Sequence, residues 1–307
     1  MSPKTSLGRM SALILCTSAL GQVIQGADYN KPSGGPPGEY FQAAATIPVA
    51  AIQASTASLN KIPKRATYPI RPGSKQMSTI YSDWAAFNEG AAIVWTADMD
   101  VDCDGLDHKC TGNSDGLSDT NWGALAAYAV PFIVIPDHYL QANEKEIPGN
   151  NVAAVICNGK MFYGILGDSN GDNPQVTGEA SWLMAKTCFP EDGLNGNVGH
   201  DAKDVTYILF LGNEAVLPTS AINKNYITDF GVLRSMGDEL VGKLARNIGA
   251  GTGTGMDKDD GNTNHSGNQT QSDEDEDPTG LGMKMALPSV VSAIGLTLVF
   301  VLMACVV

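Results

Sequence analysis

The chain contains no Cys-x-x-Cys pair. Paired thiols at that spacing are the usual framework of a structural zinc site, so their absence argues against zinc. No internal repeat is visible along its length. Basic residues are scarce, 19 Lys and Arg against 33 Asp and Glu, for a formal net charge of −14. Nucleic acid is a polyanion, so an acidic surface disfavours it as a partner and suits a cationic one. Acidity also aids solubility outside the cell. Acids are missing altogether before Asp28, and charge of either sign is missing from residues 286–307.

These two ends carry the targeting information. Lys4 and Arg9 precede an apolar stretch over residues 10–20, and small residues follow. Basic, apolar and small segments in that order read as a secretory signal peptide. It is expected over residues 1–27, with candidate cleavage sites at Ala19-Leu20-Gly21 and near Gly26-Ala27. The apolar part is too short to span a bilayer comfortably. At the other end a polar, acidic, low-complexity stretch leads to the uncharged apolar run at 286–307. A secretory signal, a polar spacer and an apolar tail read as a GPI-attachment signal, with a conventional transmembrane helix as the alternative. Small attachment candidates are spread from Asn262 to Gly280. Residues 249–285 are expected to form a disordered linker, because the acidic run 272–277 cannot bury apolar area. Asn264-His265-Ser266 and Asn268-Gln269-Thr270 are glycan acceptors if secreted. The protein is thus expected outside the cell as a monomer, meeting a membrane only through its C-terminal anchor. Residues 28–248 remain for one folded domain, enough for a single core.

Of six cysteines, Cys16 and Cys305 belong to the terminal segments. Cys103, Cys110, Cys157 and Cys188 remain, and an even number in an oxidising compartment implies two disulfides. Three pairings are possible. Cys103–Cys110, closing a short polar loop, and Cys157–Cys188, tying a strand to a later helix, are expected.

Residues 41–59 have an Ala-rich pattern compatible with a helix or two short ones. Residues 91–95 read as a strand running into an Asp-, Gly- and Asn-rich loop over 98–116. Residues 128–135 are a strand candidate that Pro131 places at an edge or splits. Two strands, 152–157 and 160–166, flank Asn158-Gly159, a strong short hairpin signal. Residues 179–188 read as a helix, 205–211 as a strand, and 229–244 as a closing helix with Val232, Leu233, Met236, Leu240, Val241 and Leu244 on one face. The fold class is α+β, one domain with a mainly antiparallel β core, sheet or barrel, and a few helices.

Chemistry concentrates between Tyr163 and Ser181. A strand runs out through Ile165 and Leu166 and ends on Asp168; a Gly- and Asn-rich loop follows; Glu179 then opens a helix. Two carboxylates on the rims of two rigid elements can face each other across a cleft. Glycoside hydrolysis needs that pair, one acid protonating the leaving oxygen and one carboxylate activating water or attacking the sugar. The plain alternative is that Asp168 stabilises a turn and Glu179 favours a helix start.

The segment resembles the fungal chitosanases of glycoside hydrolase family 75. Tyr163-Gly164-Ile165, Gly167-Asp168-Ser169-Asn170-Gly171-Asp172 and Gly178-Glu179-Ala180-Ser181 match the family's motifs. The similarity continues at Tyr29-Asn30, from Trp95-Thr96-Ala97-Asp98 to Asp104-Gly105, at Pro131-Phe132-Ile133-Val134-Ile135-Pro136, and from Asp204 to Phe210, covering nearly the whole domain. The resemblance implies an endo-acting enzyme that inverts at the anomeric carbon, with Asp168 as general base, Glu179 as general acid and no cofactor. The loop between the two acids is shorter here than in some members.

It also implies an acidic substrate groove built from Asp98, Asp100, Asp102 and Asp104, with Tyr163 and Asp172 contributing. Chitosan carries an ammonium on each glucosamine, and carboxylates bind ammonium by charge-assisted hydrogen bonds. Trp95, Trp122 and Tyr163 can offer flat faces to sugar rings. The run Asp100-Val-Asp102-Cys-Asp104-Gly105 also fits the opening of an EF-hand calcium loop, but Thr111 stands where the closing acid belongs. No metal is therefore expected. Besides the enzyme, a non-catalytic wall-binding protein and a calcium-stabilised wall protein are compatible with these features.

Overall fold

A computed structural model describes residues 22–251. The signal segment before residue 22, the linker from 252 with its glycan acceptors, and the apolar tail lie outside the described residues. In chain order the main elements are α1 (Gly26–Tyr29), α2 (Val49–Ser55), β1 (Thr67–Pro69), β2 (Met77–Thr79), β3 (Ala92–Asp102), β4 (Phe132–Pro136), α3 (Asp137–Ala142), β5 (Val152–Cys157), β6 (Lys160–Asn170), β7 (Glu179–Ser181), α4 (Trp182–Cys188), β8 (His200–Phe210) and α5 (Phe230–Asn247). β1 and β2 form a small antiparallel sheet. The other six strands close into a barrel in the order β3-β7-β4-β6-β5-β8. β3–β7 and β4–β6 are parallel and the remaining pairs antiparallel. Closure removes exposed strand edges. The domain is α+β with a mainly antiparallel core.

Several elements follow from local chemistry. Asn158 and Gly159 take positive φ, 48° and 70°, and turn β5 into β6 with Cys157 opposite Lys160, the primed turn that Asn-Gly favours. The Asp229 carboxylate accepts from the Gly231 and Val232 amides at 2.9 and 3.2 Å and caps α5. Phe230, Leu233, Gly237, Leu240, Val241 and Leu244 form the buried stripe of α5. Gly237 and Phe230 take the places expected of Met236 and Val232, which are only half-buried. The disulfides join Cys103 to Cys110 and Cys157 to Cys188.

Other elements depart from expectation. Of the helix or two short ones expected over 41–59, the short form is found, α2 followed by a 3-10 turn at Thr56–Ser58; the segment before them is not helical, because Gln42 bridges to Phe162 on the barrel and fully buried Phe41 anchors it there. β4 is not an edge strand. It is fully buried between β7 and β6, and Pro131, which cannot donate to the ladder, stands just before it. β3 continues through Asp98, Asp100 and Asp102, so these acids lie on a strand and not in a loop; pairing to β8 on one side and β7 on the other extends it. Glu179 opens no helix. Residues 179–181 pair in parallel with Asp100–Asp102, and the helix starts after Ser181, whose hydroxyl accepts from the Met184 amide.

Residues 22–27, between the two candidate cleavage sites, pack on the fold. Val23 bridges to Asp229, the Ile24 amide donates to Thr228 O at 2.9 Å, and Gly26 packs on the Tyr226 ring. Among the described residues, no helix is long and apolar enough to cross a membrane.

Candidate active site

The site forms at one end of the barrel, where β3, β7 and β6 finish or begin. Between β4 and β6 the register moves from Ile133 opposite Leu166 to Val134 opposite Asp168, so Gly167 is an extra residue, a β-bulge. A Cβ on Gly167 would sit 2.7 Å from Phe132 Cβ and 2.8 Å from Leu125 Cδ1, closer than packed carbons approach. Only glycine fits there, and the bulge sets the direction of the next side chain, Asp168.

Asp168 is 6% exposed. Its Oδ1 accepts from the backbone amides of Ser169 at 2.9 Å and Asn121 at 3.1 Å. Asn121 also clamps the strand end, because its side-chain oxygen accepts from the Ser169 amide at 3.0 Å. Burial pushes the Asp168 carboxyl up to about 7, and the Asp104 charge adds to this, while the two amides pull it back.

Asn170, two residues on and so on the same face of β6, donates from Nδ2 to Glu179 Oε1 at 3.3 Å and to Asp172 Oδ2 at 3.4 Å. Its Oδ1 accepts from the Val176 amide at 3.2 Å, folding the intervening loop back on itself. Glu179 is partly buried. Burial holds its carboxyl well above the usual carboxylate range, and the charges of Asp102, Asp100 and Asp172 push the same way. Asp102 behaves alike, raised by burial and then by Asp168 and Asp104. Asp102 thus lies on β3 beside β7, which carries Glu179, and its charge bears on Glu179 as that of Asp168 bears on it.

One carboxylate oxygen each from Asp102, Asp104 and Asp168 lie within 4.8 Å of one another. This trio is the group of described residues best able to hold a cation. It is not an EF-hand: Asp100 and Asp102 lie on β3, and Asp102 Oδ1 accepts from the Asp104 amide at 2.7 Å in a tight local turn. The arrangement brings together several partly desolvated carboxyls, each held above the usual carboxylate range by burial and by its acidic neighbours.

A family profile described as fungal chitosanase of glycosyl hydrolase group 75 matches residues 99–243. An "Endo-chitosanase C" of Aspergillus oryzae is 67% identical over 240 residues, covering 78% of this chain and 63% of that protein. An "Endo-chitosanase" of Aspergillus oryzae (strain ATCC 42149 / RIB 40) is 38% identical over 169 residues, covering 48% of this chain and 68% of that protein. The chain belongs to the fungal chitosanases of glycosyl hydrolase group 75. An "Endo-chitosanase" of Aspergillus fumigatus is 36% identical over 164 residues, 68% of its length. The chain spans less than two thirds of the length of the Aspergillus oryzae endo-chitosanase C it matches.

Within this chitosanase-family domain, the sequence-predicted residues divide. Asp168, Glu179, Asp102, Asp104, Asp100 and Asp172 gather around the strand ends. Asp98 does not join them at the surface. It is fully buried, and a Cβ on neighbouring Gly178 would come within 2.3 Å of its Oδ1, so it cannot reach a polymer. Tyr163 is also no sugar platform. Its ring is fully buried against Gly237, and its hydroxyl donates to Asp238 Oδ1 at 2.8 Å, tying β6 to α5. Trp95 is buried in a stack on Tyr207, 5.3 Å between centroids. Trp122 remains half-exposed. Sequence reasoning missed Asn170 and Asn121. Asn170 was within reach, because alternation puts it on the face of Asp168; Asn121 carries no local signal, since its partner lies 47 residues away.

Proposed function

We propose that this chain is an endo-acting chitosanase that hydrolyses the β-1,4 glucosamine linkages of chitosan with inversion, Asp168 serving as general base and Glu179 as general acid. The observation that carries the reading is the convergence of the acids at one end of the barrel: Asp168 lies with Asp102 and Asp104, their oxygens within 4.8 Å of one another, and Glu179 pairs with Asp100 on β3 and accepts from Asn170, which shares the β6 face of Asp168. The surroundings of the two acids divide the roles. Asp168 receives two backbone amides, which favour its ionised form. Glu179 receives one side-chain amide and faces three carboxylates, which favour its protonated form. Asp100, Asp102, Asp104 and Asp172 are then acceptors for the ammonium groups of the polycation. The names of the relatives support the substrate class. Two carboxylates suffice for this hydrolysis, so the mechanism needs no cofactor. The two disulfides support secretion, and the sequence pattern of the two ends supports a lipid-anchored protein at the cell surface.

The test is hydrolysis of soluble chitosan followed by sizing of the products. Asp168→Asn and Glu179→Gln keep shape and remove charge or acidity, and each is expected to lower kcat about a hundredfold or more. A variant retaining more than about a tenth of the activity would mean that its residue is misassigned. Proton NMR of the first products from a glucosamine oligomer is expected to show the α anomer before mutarotation. Early β anomer would show retention and make the base a nucleophile.

A further inference from the structure

Beside Asp168 the surface sinks into a cavity of about 360 Å³ that the two catalytic acids do not account for. Its walls include Asn121, Trp122, Asp137, Gln141 and Glu144. The size falls in the range of small-ligand clefts. Three contacts couple this cavity to the end of β6. The Asn121 amide donates to Asp168 Oδ1 at 3.1 Å, the Ser169 amide donates to Asn121 Oδ1 at 3.0 Å, and the Ser169 hydroxyl lies 3.3 Å from Asp137 Oδ1. A ligand in the cavity is therefore adjacent to the base.

The wall chemistry is specific. Trp122 is half-exposed, and its indole rests on Gly149 so closely that a Cβ there would overlap Cε2 at 2.0 Å. An aromatic ring pinned in this way offers a flat apolar surface of fixed orientation. Asp137 is held by Gln141, which donates to its Oδ2 at 2.6 Å. Glu144, seven residues on and just past α3, is exposed and lines the same cavity. The lining residues include no cation. A flat aromatic face beside two carboxylates matches a pyranose ring that bears an ammonium: the ring stacks and the ammonium bonds to carboxylate.

We propose that this cavity is a glucosamine subsite on the Asp168 side of the cut, with Trp122 stacking on the sugar and Asp137 and Glu144 holding its ammonium. The proposal rests on the chitosanase reading above and adds the residues that select deacetylated sugar on that side. An acetylated unit has no ammonium to offer the pair, and its neutral amide leaves the two carboxylates without a counter-charge.

The test uses the full chain and a fully deacetylated glucosamine hexamer. Glu144→Gln is expected to raise KM about two- to fivefold, the effect of losing one exposed ion pair, with kcat and melting temperature unchanged. Trp122→Ala is expected to raise KM about fivefold or more through lost stacking. The decisive readout is the sequence of products from partially acetylated chitosan. Glu144→Gln is expected to relax the demand for glucosamine at one position on one side of the cut while preserving it elsewhere. A merely structural role would not change that pattern. An active wild type whose Glu144→Gln variant keeps both its KM and its product sequences would overturn the subsite alone. A wild type that leaves chitosan intact would overturn the chitosanase reading and the subsite with it. If Trp122→Ala fails to fold, Glu144→Gln still decides, because that side chain is exposed.

Discussion

Asp98 lies inside the barrel wall with neither carboxylate oxygen hydrogen-bonded among the described residues. Burial pushes its carboxyl to about 8; the Asp100 charge adds to this and Arg71 opposes it. Asp201, ion-paired to Arg71, adds a smaller upward push. An ordinary unfolded Asp titrates near 3.8. Between these values the folded chain binds the proton more tightly than the unfolded one does. Stability is therefore full below about pH 4 as far as this group is concerned, and is lost as pH rises toward about 8. The slope approaches about 1.4 kcal/mol per pH unit for one such group. Asp98→Asn, neutral at every pH, is expected to flatten that fall. Denaturant melts of both forms at pH 5 and pH 8 check it; equal losses in the two would show that Asp98 is not the group responsible. The sequence showed an acid at this position but not its burial. Asp98, Asp100 and Asp102 alternate identically along the chain, and what separates the first from the others is tertiary: Gly178 packs against its carboxylate, and the pairing of β3 with β8 shifts register at this point.

At the scale of elements, the direction of Asp168 depends on a single bulge. Gly167→Ala places a methyl against Phe132 and Leu125. Overpacking of this kind costs about 1–3 kcal/mol, and relief requires the β6 backbone to move, taking Asp168 with it. The expected result is a lower denaturant midpoint together with a fall in kcat larger than the loss of folded protein explains. Unchanged kcat and midpoint would show that the bulge tolerates a side chain. The Gly-Asp pair was legible as a motif, whereas the bulge was not, because it exists only relative to the register of β4. The same holds for Glu179. Polar residues before an apolar run read as a helix start, yet parallel pairing to Asp100–Asp102 converts them into a three-residue strand. Local propensity is weak over three residues, and tertiary pairing overrides it.

At the scale of the whole molecule, the N-terminal residues of the described fold bear on processing. Val23 and Ile24 bond to the segment that leads into α5, and Gly26 starts α1 against Tyr226. A mature chain beginning at Asp28 would lose these contacts; one cleaved after Gly21 keeps them. N-terminal sequencing of the protein secreted by a fungal host is expected to begin at or next to Gln22. A start at Asp28 would show that the packed residues are dispensable. The sequence by itself determined the hairpin at Asn158-Gly159, the closing helix and the identity of the acidic motif residues. Each is written in neighbouring residues, in a turn that needs positive φ, a 3.6-residue stripe or a contiguous motif. Only the tertiary structure decided that β3 carries Asp100 and Asp102 to the mouth of a closed barrel, that Asn121 reaches Asp168 across 47 residues, and that Tyr163 and Asp98 turn inward. Those outcomes depend on which strands pair and in what register, and that choice is made by burial of the whole core, which no local stretch of sequence specifies.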